Sequence, residues 1–412
     1  MLDVAIIGGG AAGFFAAINI KEKHPDWKVE IFEKSPACLG KVKVSGGGRC
    51  NVTHNCFDPL LLSHYYPRGG RELLSVFNRF NPKSTIDWFA SKGVKIKAEQ
   101  DGRMFPVTDD SQTIIDCFYE ACSNLKIKIH LRSGVHAIRK SDKGFEFLVD
   151  THTHRTRNIV IATGSSDFFW KILKDMGHQI VHPVPSLFTF NIKHPVIDGL
   201  MGLSVAKAKV KLLPDKSLIK AMRLKENQLT QEGPLLITHW GLSGPAVLKL
   251  SSVAARLLNQ MAYKFSIQVN FSGLNTEHTL ESITKHKTLN SKKLIANTSL
   301  FDLPARLWQS IVEFTFGKQD IIWADSSKKE LNALAKNLSA LDLQVNGKST
   351  FKEEFVTAGG VDLKEVDFRT MESKLVKGLY LAGEVLNIDA LTGGFNFQAA
   401  WSEAWVISES IQ

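Results

Sequence analysis

Leu2-Asp3-Val4-Ala5-Ile6-Ile7-Gly8-Gly9-Gly10-Ala11-Ala12-Gly13-Phe14-Phe15-Ala16-Ala17-Ile18 decides the reading of the fold. Val4–Ile7 is an unbroken apolar run, the pattern of a strand buried on both faces. Gly8, Gly10 and Gly13 then fill a G-x-G-x-x-G turn, and Ala11–Lys23 reads as a helix. Gly8 permits the tight turn, Gly10 lets a pyrophosphate approach the backbone, and Gly13 lets helix and strand pack closely. The free N–H groups of the helix start, including those of Ala11 and Ala12, favour an anion there. Lys28–Phe32 reads as a second strand and ends at Glu33, 20 residues after Gly13. A carboxylate at that place accepts hydrogen bonds from a ribose 2′-OH and repels a 2′-phosphate. This βαβ opening predicts a parallel sheet. It does not separate a flavin from a nicotinamide dinucleotide, because both carry an unmodified adenosine ribose.

Two further stretches favour FAD. Gly40-Lys41-Val42-Lys43-Val44-Ser45-Gly46-Gly47-Gly48-Arg49-Cys50-Asn51-Val52-Thr53 carries three consecutive glycines, a backbone that a flat ligand can approach without Cβ clashes. Ser45, Arg49 and Asn51 supply donors beside it; a surface loop is the plain alternative. Near the C-terminus, Gly378-Leu379-Tyr380-Leu381-Ala382-Gly383-Glu384 reads as a strand and its turn. Asp389 follows, and Gly393-Gly394-Phe395-Asn396 opens a helix running toward Ser408. A helix start at a flavin's pyrimidine edge would stabilise the negative charge of the reduced ring. Close backbone approach to the ring is the expected reason for Gly394. No second G-x-G-x-x-G follows a strand, so NADH or NADPH would bind only transiently, at the flavin face.

The chain has 412 residues, 44% hydrophobic and 22% charged, the balance of a globular protein of two or three domains. No run of 18 apolar residues occurs, so no membrane span is expected. The N-terminus reads as a buried strand, not a signal peptide. The formal charge is +10, and the isoelectric point is about 9.2. Lys and Arg look scattered, with no run of five and no basic aromatic-rich tail, so a nucleic-acid partner is not expected. Five cysteines without a Cys-x-x-Cys argue against a disulfide framework, and no metal site is expected. Cys117 and Cys122 fall in an apparent helix, Ser111–Leu125, where positions five apart face roughly 140° away from each other. A reducing cytoplasm fits best.

Along the chain, residues 34–57 look like a wrapping loop, and helices are expected near Gly70–Phe80 and Pro82–Gly93. Segments 127–139 and 144–149 alternate like strands. Asn158–Ala162 is a buried strand, and its turn holds Thr163 and Gly164. The pattern then changes. The expected organisation is a discontinuous cofactor domain, 1–186 and 356–412, interrupted by an insertion at 187–355. That insertion is β-rich over 187–276 and helical over 277–355. There is no internal repeat.

Together these stretches resemble a bacterial flavoprotein family often called the BaiN/RdsA family, which includes an aminoacetone oxidase and a bile-acid-type steroid reductase. The resemblance covers nearly the whole chain. Its most specific piece is Ser45–Thr53, supported by Gly102-Arg103-Met104-Phe105-Pro106, Thr238-His239-Trp240-Gly241-Leu242-Ser243-Gly244-Pro245 and Thr357-Ala358-Gly359-Gly360-Val361. Ser165, Asn387 and Phe395 stand where such proteins often carry Gly, Asp and Tyr. The resemblance implies an α/β fold: a glutathione-reductase-like Rossmann domain that binds FAD, with a β-rich and helical insertion. The cofactor-binding set is then Gly8, Gly10, Ala11, Ala12, Gly13, Glu33, Lys34, Lys41, Ser45, Gly48, Arg49, Cys50, Asn51, Val135, Thr163, Gly164, Gly383, Glu384, Asp389, Gly393, Gly394 and Asn396.

Arg103, as an anion clamp, and His239, as an acid or base, are the catalytic candidates. Each also reads as a structural residue, Arg103 tying a loop to the FAD domain and His239 hydrogen-bonded in an interdomain turn. The expected function is an FAD-dependent oxidoreductase acting on a small organic molecule, by enone reduction or amine oxidation. The alternatives are a flavin-dependent RNA-modifying protein and a flavin redox sensor without turnover. Nothing in the sequence points to an oligomeric state.

Overall fold

The chain forms two compact units, Met1–Val184 with Lys352–Gln412, and Pro185–Phe351. The structure, a computed structural model, describes residues 1–221, 225–349 and 356–412. The expected end of the insertion, at residue 355, lies outside the described residues.

In the first unit the strands are β1 (Leu2–Ile7), β2 (Val29–Phe32), β3 (Thr53–His54), β4 (Ile96–Ala98), β5 (Arg103–Pro106), β6 (Lys128–His130), β7 (Val135–Ser141), β8 (Gly144–Val149) and β9 (His152–Ile161). The chain then runs through β10 (Ile180–Ser186) into the second unit. That unit holds β11 (Thr189–Asn191), β12 (Ser204–Leu212), β13 (Thr230–Thr238), β14 (Gly241–Ser243), β15 (Lys264–Asn270), β16 (Leu341–Asn346) and β17 (Lys348–Ser349). The first unit resumes with β18 (Val356–Val361), β19 (Val366–Asp367), β20 (Glu372–Ser373) and β21 (Leu379–Leu381).

Parallel pairing in the order β6-β2-β1-β9-β21 makes the centre of the first unit. Antiparallel β20 and β19 extend one side, and β8 and β7 fold back from β9. The strand order reverses about β1, and in open parallel sheets ligands bind at the carboxyl ends of the strands at such a point. Helix α1 (Ala11–Lys23) is apolar on every side and buried from Ala12 to Ile20. It packs on β1 and β2 and against the C-terminal helix Phe395–Ser410. Phe15 meets Trp88 at 4.5 Å and Trp401 at 5.3 Å between ring centroids. The indole N–H of Trp401 donates to Val52 O at 3.0 Å, tying the C-terminal helix to the residue before β3.

The glycine-rich segment is not a plain loop. Gly40 begins a helical stretch, α2 (Gly40–Gly48), broken at Ser45, Gly46 and Gly47 by a kink. Gly46 and Gly47 adopt left-handed φ of +60° and +70°, which their missing Cβ atoms allow at little cost. The two expected helices form at Gly70–Phe77 and Pro82–Ser91, the second capped by Asn81.

The second unit is a seven-stranded antiparallel sheet in the order β16-β15-β12-β13-β14-β11-β17. The β-rich part contains helices Pro245–Val253 and Ala255–Gln260, started by Pro at the first helical position. The helical part contains β16, whose Leu341, Leu343 and Val345 alternate inward and pair with β15. Helices Thr276–Leu289, Ala305–Phe316 and Lys328–Ser339 pack around Trp308 and Trp323, both fully buried.

Candidate cofactor site at the carboxyl ends of the parallel strands

The turns after β1, β2, β9 and β21 carry Gly8–Gly13, Glu33, Thr163–Gly164 and Gly383–Glu384. The glycines of the first turn divide by cause. A Cβ on Gly8 would lie 2.4 Å from Ala162 O, and one on Gly13 would lie 2.0 Å from Gly8 O. These two are required by packing. A Cβ on Gly10 would meet nothing within 4 Å. It would instead occupy open space in front of α1, whose first turn has neither a side-chain cap nor an acidic residue. The positive end of that helix therefore faces a free volume suited to an anion.

Around this volume the residues form three groups. Glu33 Oε2 accepts from Gly9 N at 2.7 Å, and its Oε1 accepts from Ser35 N at 2.8 Å. Gly134 comes close to Lys34, so Lys34 and Val135 lie on the same side as Glu33. In the second group, Gly383 lies against Ala12, and Glu384 lies beside Gly164 and is paired with Lys41. The Thr163 hydroxyl is buried without a hydrogen-bond partner. An orphaned hydroxyl at a strand's carboxyl end, beside an uncapped helix start, fits a dinucleotide that supplies the missing partner.

The third group surrounds the start of the C-terminal helix. With its amide oriented to satisfy both neighbours, Asn51 accepts from Gly394 N at 2.9 Å and donates to Thr53 O at 3.1 Å. Asn396 accepts from Ala390 N at 3.0 Å. A Cβ on Gly394 would lie 2.5 Å from Thr53 O and 2.7 Å from Asn51 Oδ1. This corrects the expected reason for that glycine: its missing side chain admits β3. The His54 ring stacks on Phe395 at 4.5 Å, and Phe395 stacks on Tyr65 at 4.2 Å. A Cβ on Gly102 or on Gly393 would fall 2.5 and 3.4 Å from the His54 ring, so two glycines make room for it.

Other expected residues are engaged elsewhere in the protein. Arg49 pairs with Glu99 at 2.6 Å and stacks on Phe105 at 3.9 Å, and Asp389 is fully buried in an ion pair with Arg68. Arg103 is held by Asp101 at 2.7 Å and Glu99 at 3.1 Å, so two carboxylates already neutralise the proposed anion clamp. His239 lies exposed in the β13–β14 turn of the second unit. Ser45 donates to Val42 O, while Gly48 leaves open space beside its Cα. Cys50 is buried, and burial pushes its thiol up to about 12. Burial also raises Cys38 and Cys117 to about 11 and Cys122 to about 12, so none is a thiolate near neutrality. Among the described residues no His, Cys, Asp or Glu group could hold a metal, and no helix is long and apolar enough to cross a membrane.

Residues 2–410 match the family described as HI0933-like protein Rossmann domain. The chain belongs to the HI0933-like family. It is an FAD-dependent oxidoreductase. This HI0933-like protein is 29% identical to a ribosomal RNA dihydrouridine synthase of Escherichia coli (strain K12), over 99% of its own length and 98% of the relative's. It is 25% identical to a 3-dehydro-bile acid delta(4,6)-reductase of Clostridium scindens, over 98% of each chain. The fold is similar to that of a 3-ketosteroid-delta4-(5alpha)-dehydrogenase from Rhodococcus jostii RHA1, with a TM-score of 0.51 and 13% identity, covering 100% of this chain and 97% of that one.

Sequence reasoning passed over Glu403, His54 and Tyr65. Glu403 is fully buried on the C-terminal helix, and its Oε2 accepts from Gly383 N at 2.5 Å. Burial pushes this carboxyl up to about 8, against the lowering effect of the Gly383 N–H. A lone acid in Ala399-Ala400-Trp401-Ser402-Glu403-Ala404-Trp405 was the available signal, because such a helix has little solvent-facing surface.

Proposed function

We propose that the HI0933-like protein saturates a carbonyl-conjugated C=C bond in a uracil ring of ribosomal RNA. The observation that carries this reading is its end-to-end similarity to ribosomal RNA dihydrouridine synthases, the second of them from Haemophilus influenzae at 28% identity over 98% of this chain. Dihydrouridine is uridine with one conjugated C=C bond reduced. The bile-acid relative's name describes reduction of the same kind of bond in a free molecule, so both names agree on the reaction and differ on the substrate. The net charge of +10 favours the polyanion. Bound FAD would supply the hydride, with NADH or NADPH as the donor that restores it.

The protein's own part is to place the ring and supply a proton to the second carbon of the bond. In this reading His54, beside the Gly393–Gly394 turn and stacked on Phe395, would supply that proton. Asp101 senses it: burial would raise this carboxyl, but Arg103 and His54 outweigh burial and hold it below the usual range.

Unmodified ribosomal RNA transcribed in vitro, incubated with the holoenzyme and NADH or NADPH, should yield dihydrouridine in its nucleoside digest. If no dihydrouridine forms while free steroid enones are reduced, the small-molecule substrate is the right one. His54→Phe should retain FAD and be reduced by the nicotinamide donor at the normal rate, yet form dihydrouridine about 10²- to 10⁴-fold more slowly. Wild-type product formation by His54→Phe would place the proton donor elsewhere.

A further inference from the structure

The charge of this chain is divided unevenly between its units. Pro185–Phe351 holds 21 Lys and Arg against 12 Asp and Glu, a net of +9, which leaves +1 for all the rest of the chain. The cofactor unit is thus nearly neutral, and the second unit is strongly basic. Long-range attraction for a polyanion belongs to the second unit.

Within that unit the seven-stranded sheet has two unlike faces. One is apolar: Val210, Ile267 and Leu343 point into the core under the helices. The other carries Lys207, Lys209 and Lys211 on alternate positions of β12, Lys207 within the register shift between Val205 and Ala208 and the other two beyond it. Alternate side chains on one face of a strand repeat at about 6.6 Å, so the three cations form a row. Lys264 extends the positive charge on the neighbouring β15, where it is exposed.

Two carboxylates share this face. Glu232 lies 3.4 Å from Lys209, and Asp342 accepts from Gln268 at 3.0 Å and lies 3.7 Å from Lys336. Among the described residues no carboxylate is within ion-pair distance of Lys207, Lys211 or Lys264. Between the lysines, Gln268 and Gln344 present amides, with Gln344 donating to Ser266 Oγ at 2.7 Å. The exposed Leu213 and Leu236 flank the row, and within it lysines among neutral hydrogen-bonding groups suit a sugar–phosphate backbone.

We infer that the β12 lysine face of the second unit docks the phosphate backbone of the RNA substrate. This rests on the reading of the protein as an RNA-modifying reductase and names the part of the chain that holds the RNA. Each phosphate neutralised by a lysine releases bound counterions, so affinity falls with salt in proportion to the number of such contacts.

The test uses full-length holoenzyme, in vitro-transcribed unmodified ribosomal RNA, and filter binding from low to moderate salt. The variant is Lys207→Gln/Lys209→Gln/Lys211→Gln. The control removes the same charge from exposed positions of the cofactor unit, Lys126→Gln/Lys143→Gln/Lys171→Gln. FAD content and melting temperature confirm that each protein is folded. The β12 variant should bind about 10- to 100-fold more weakly, with the slope of log affinity against log salt reduced by about 2. The control should stay close to wild type. If both triple variants lose affinity equally, the charge acts diffusely and the docking face is wrong. If wild type binds with a salt dependence and the β12 variant matches it, the face again falls while the RNA reading stands. If wild type itself binds no RNA, both fall together.

Discussion

Gly13→Val should purify without FAD and melt well below the wild-type protein. The Cβ would lie 2.0 Å from Gly8 O and 3.3 Å from Ile6 Cγ2. Neither contact can yield cheaply, because β1 is held in register by β2 on one side and β9 on the other. Helix α1 must therefore lift from the sheet, and its first N–H groups leave the position from which they would meet a pyrophosphate. Overpacking of a tight core costs about 1–3 kcal/mol and more where backbone must move. Gly10→Ala is the informative contrast. Its Cβ would touch no protein atom within 4 Å, so the apoprotein should be as stable as wild type. It should nevertheless bind FAD more weakly, because the methyl occupies the volume assigned to the phosphates. Flavin absorbance and a melting curve on each variant separate the two effects. A Gly13→Val protein with full FAD and an unchanged melt would refute the packing argument. A Gly10→Ala protein with wild-type FAD affinity would show that the open volume is not where the cofactor lies.

The same contrast explains what the sequence could and could not disclose. The opening βαβ unit is legible because each part has a local cause: an unbroken apolar strand, glycines at fixed offsets, and an acid ending the next strand. The reason for a glycine is less legible than its presence. Gly394 reads as a residue cleared for the ligand, yet its missing Cβ makes room for Thr53 O, a contact between positions far apart in the chain. The Arg68–Asp389 pair, 321 residues apart, and the Arg49–Glu99 pair likewise depend on tertiary placement. Their charges invite a ligand-binding reading until the partner is seen. The helical stretch at Gly40 was hidden by glycines that disfavour helix in isolation. Strand β16 had a clear period of two, but it lay among Lys- and Asn-rich helices whose composition dominated the reading. Charge looked scattered because no short window holds a basic run. Its concentration appears only when the residues are sorted by folded unit.

Glu403→Gln should abolish a pH dependence that the wild-type protein shows both in stability and in FAD retention. Glu403 is fully buried, and its Oε2 accepts from Gly383 N at 2.5 Å, while Oε1 has no partner. Burial raises its pKa to about 8 from an ordinary 4.5, so folding favours the protonated acid. The stabilising effect of that proton is complete below about pH 4.5 and is lost as pH rises through about 8. Above that point the chain must either hold an unpaired buried carboxylate or open around it, at a cost on the order of a few kcal/mol. The strain falls on Gly383, whose turn with Glu384 lies against Ala12 at the start of α1. Wild type should therefore lose FAD and melt at lower temperature as pH is raised from 6 to about 9. Gln keeps the shape and the acceptor for Gly383 N but has no proton to lose, so its profile over the same range should be flat. Glu403→Ala should be weak at every pH, because it leaves the Gly383 N–H without its acceptor and a cavity beside it. Melting curves and released-flavin fluorescence, taken on the three proteins across the range, decide the matter. Parallel profiles for wild type and Glu403→Gln would mean that Glu403 does not titrate there, and that the turn over α1 is held by something other than this buried acid.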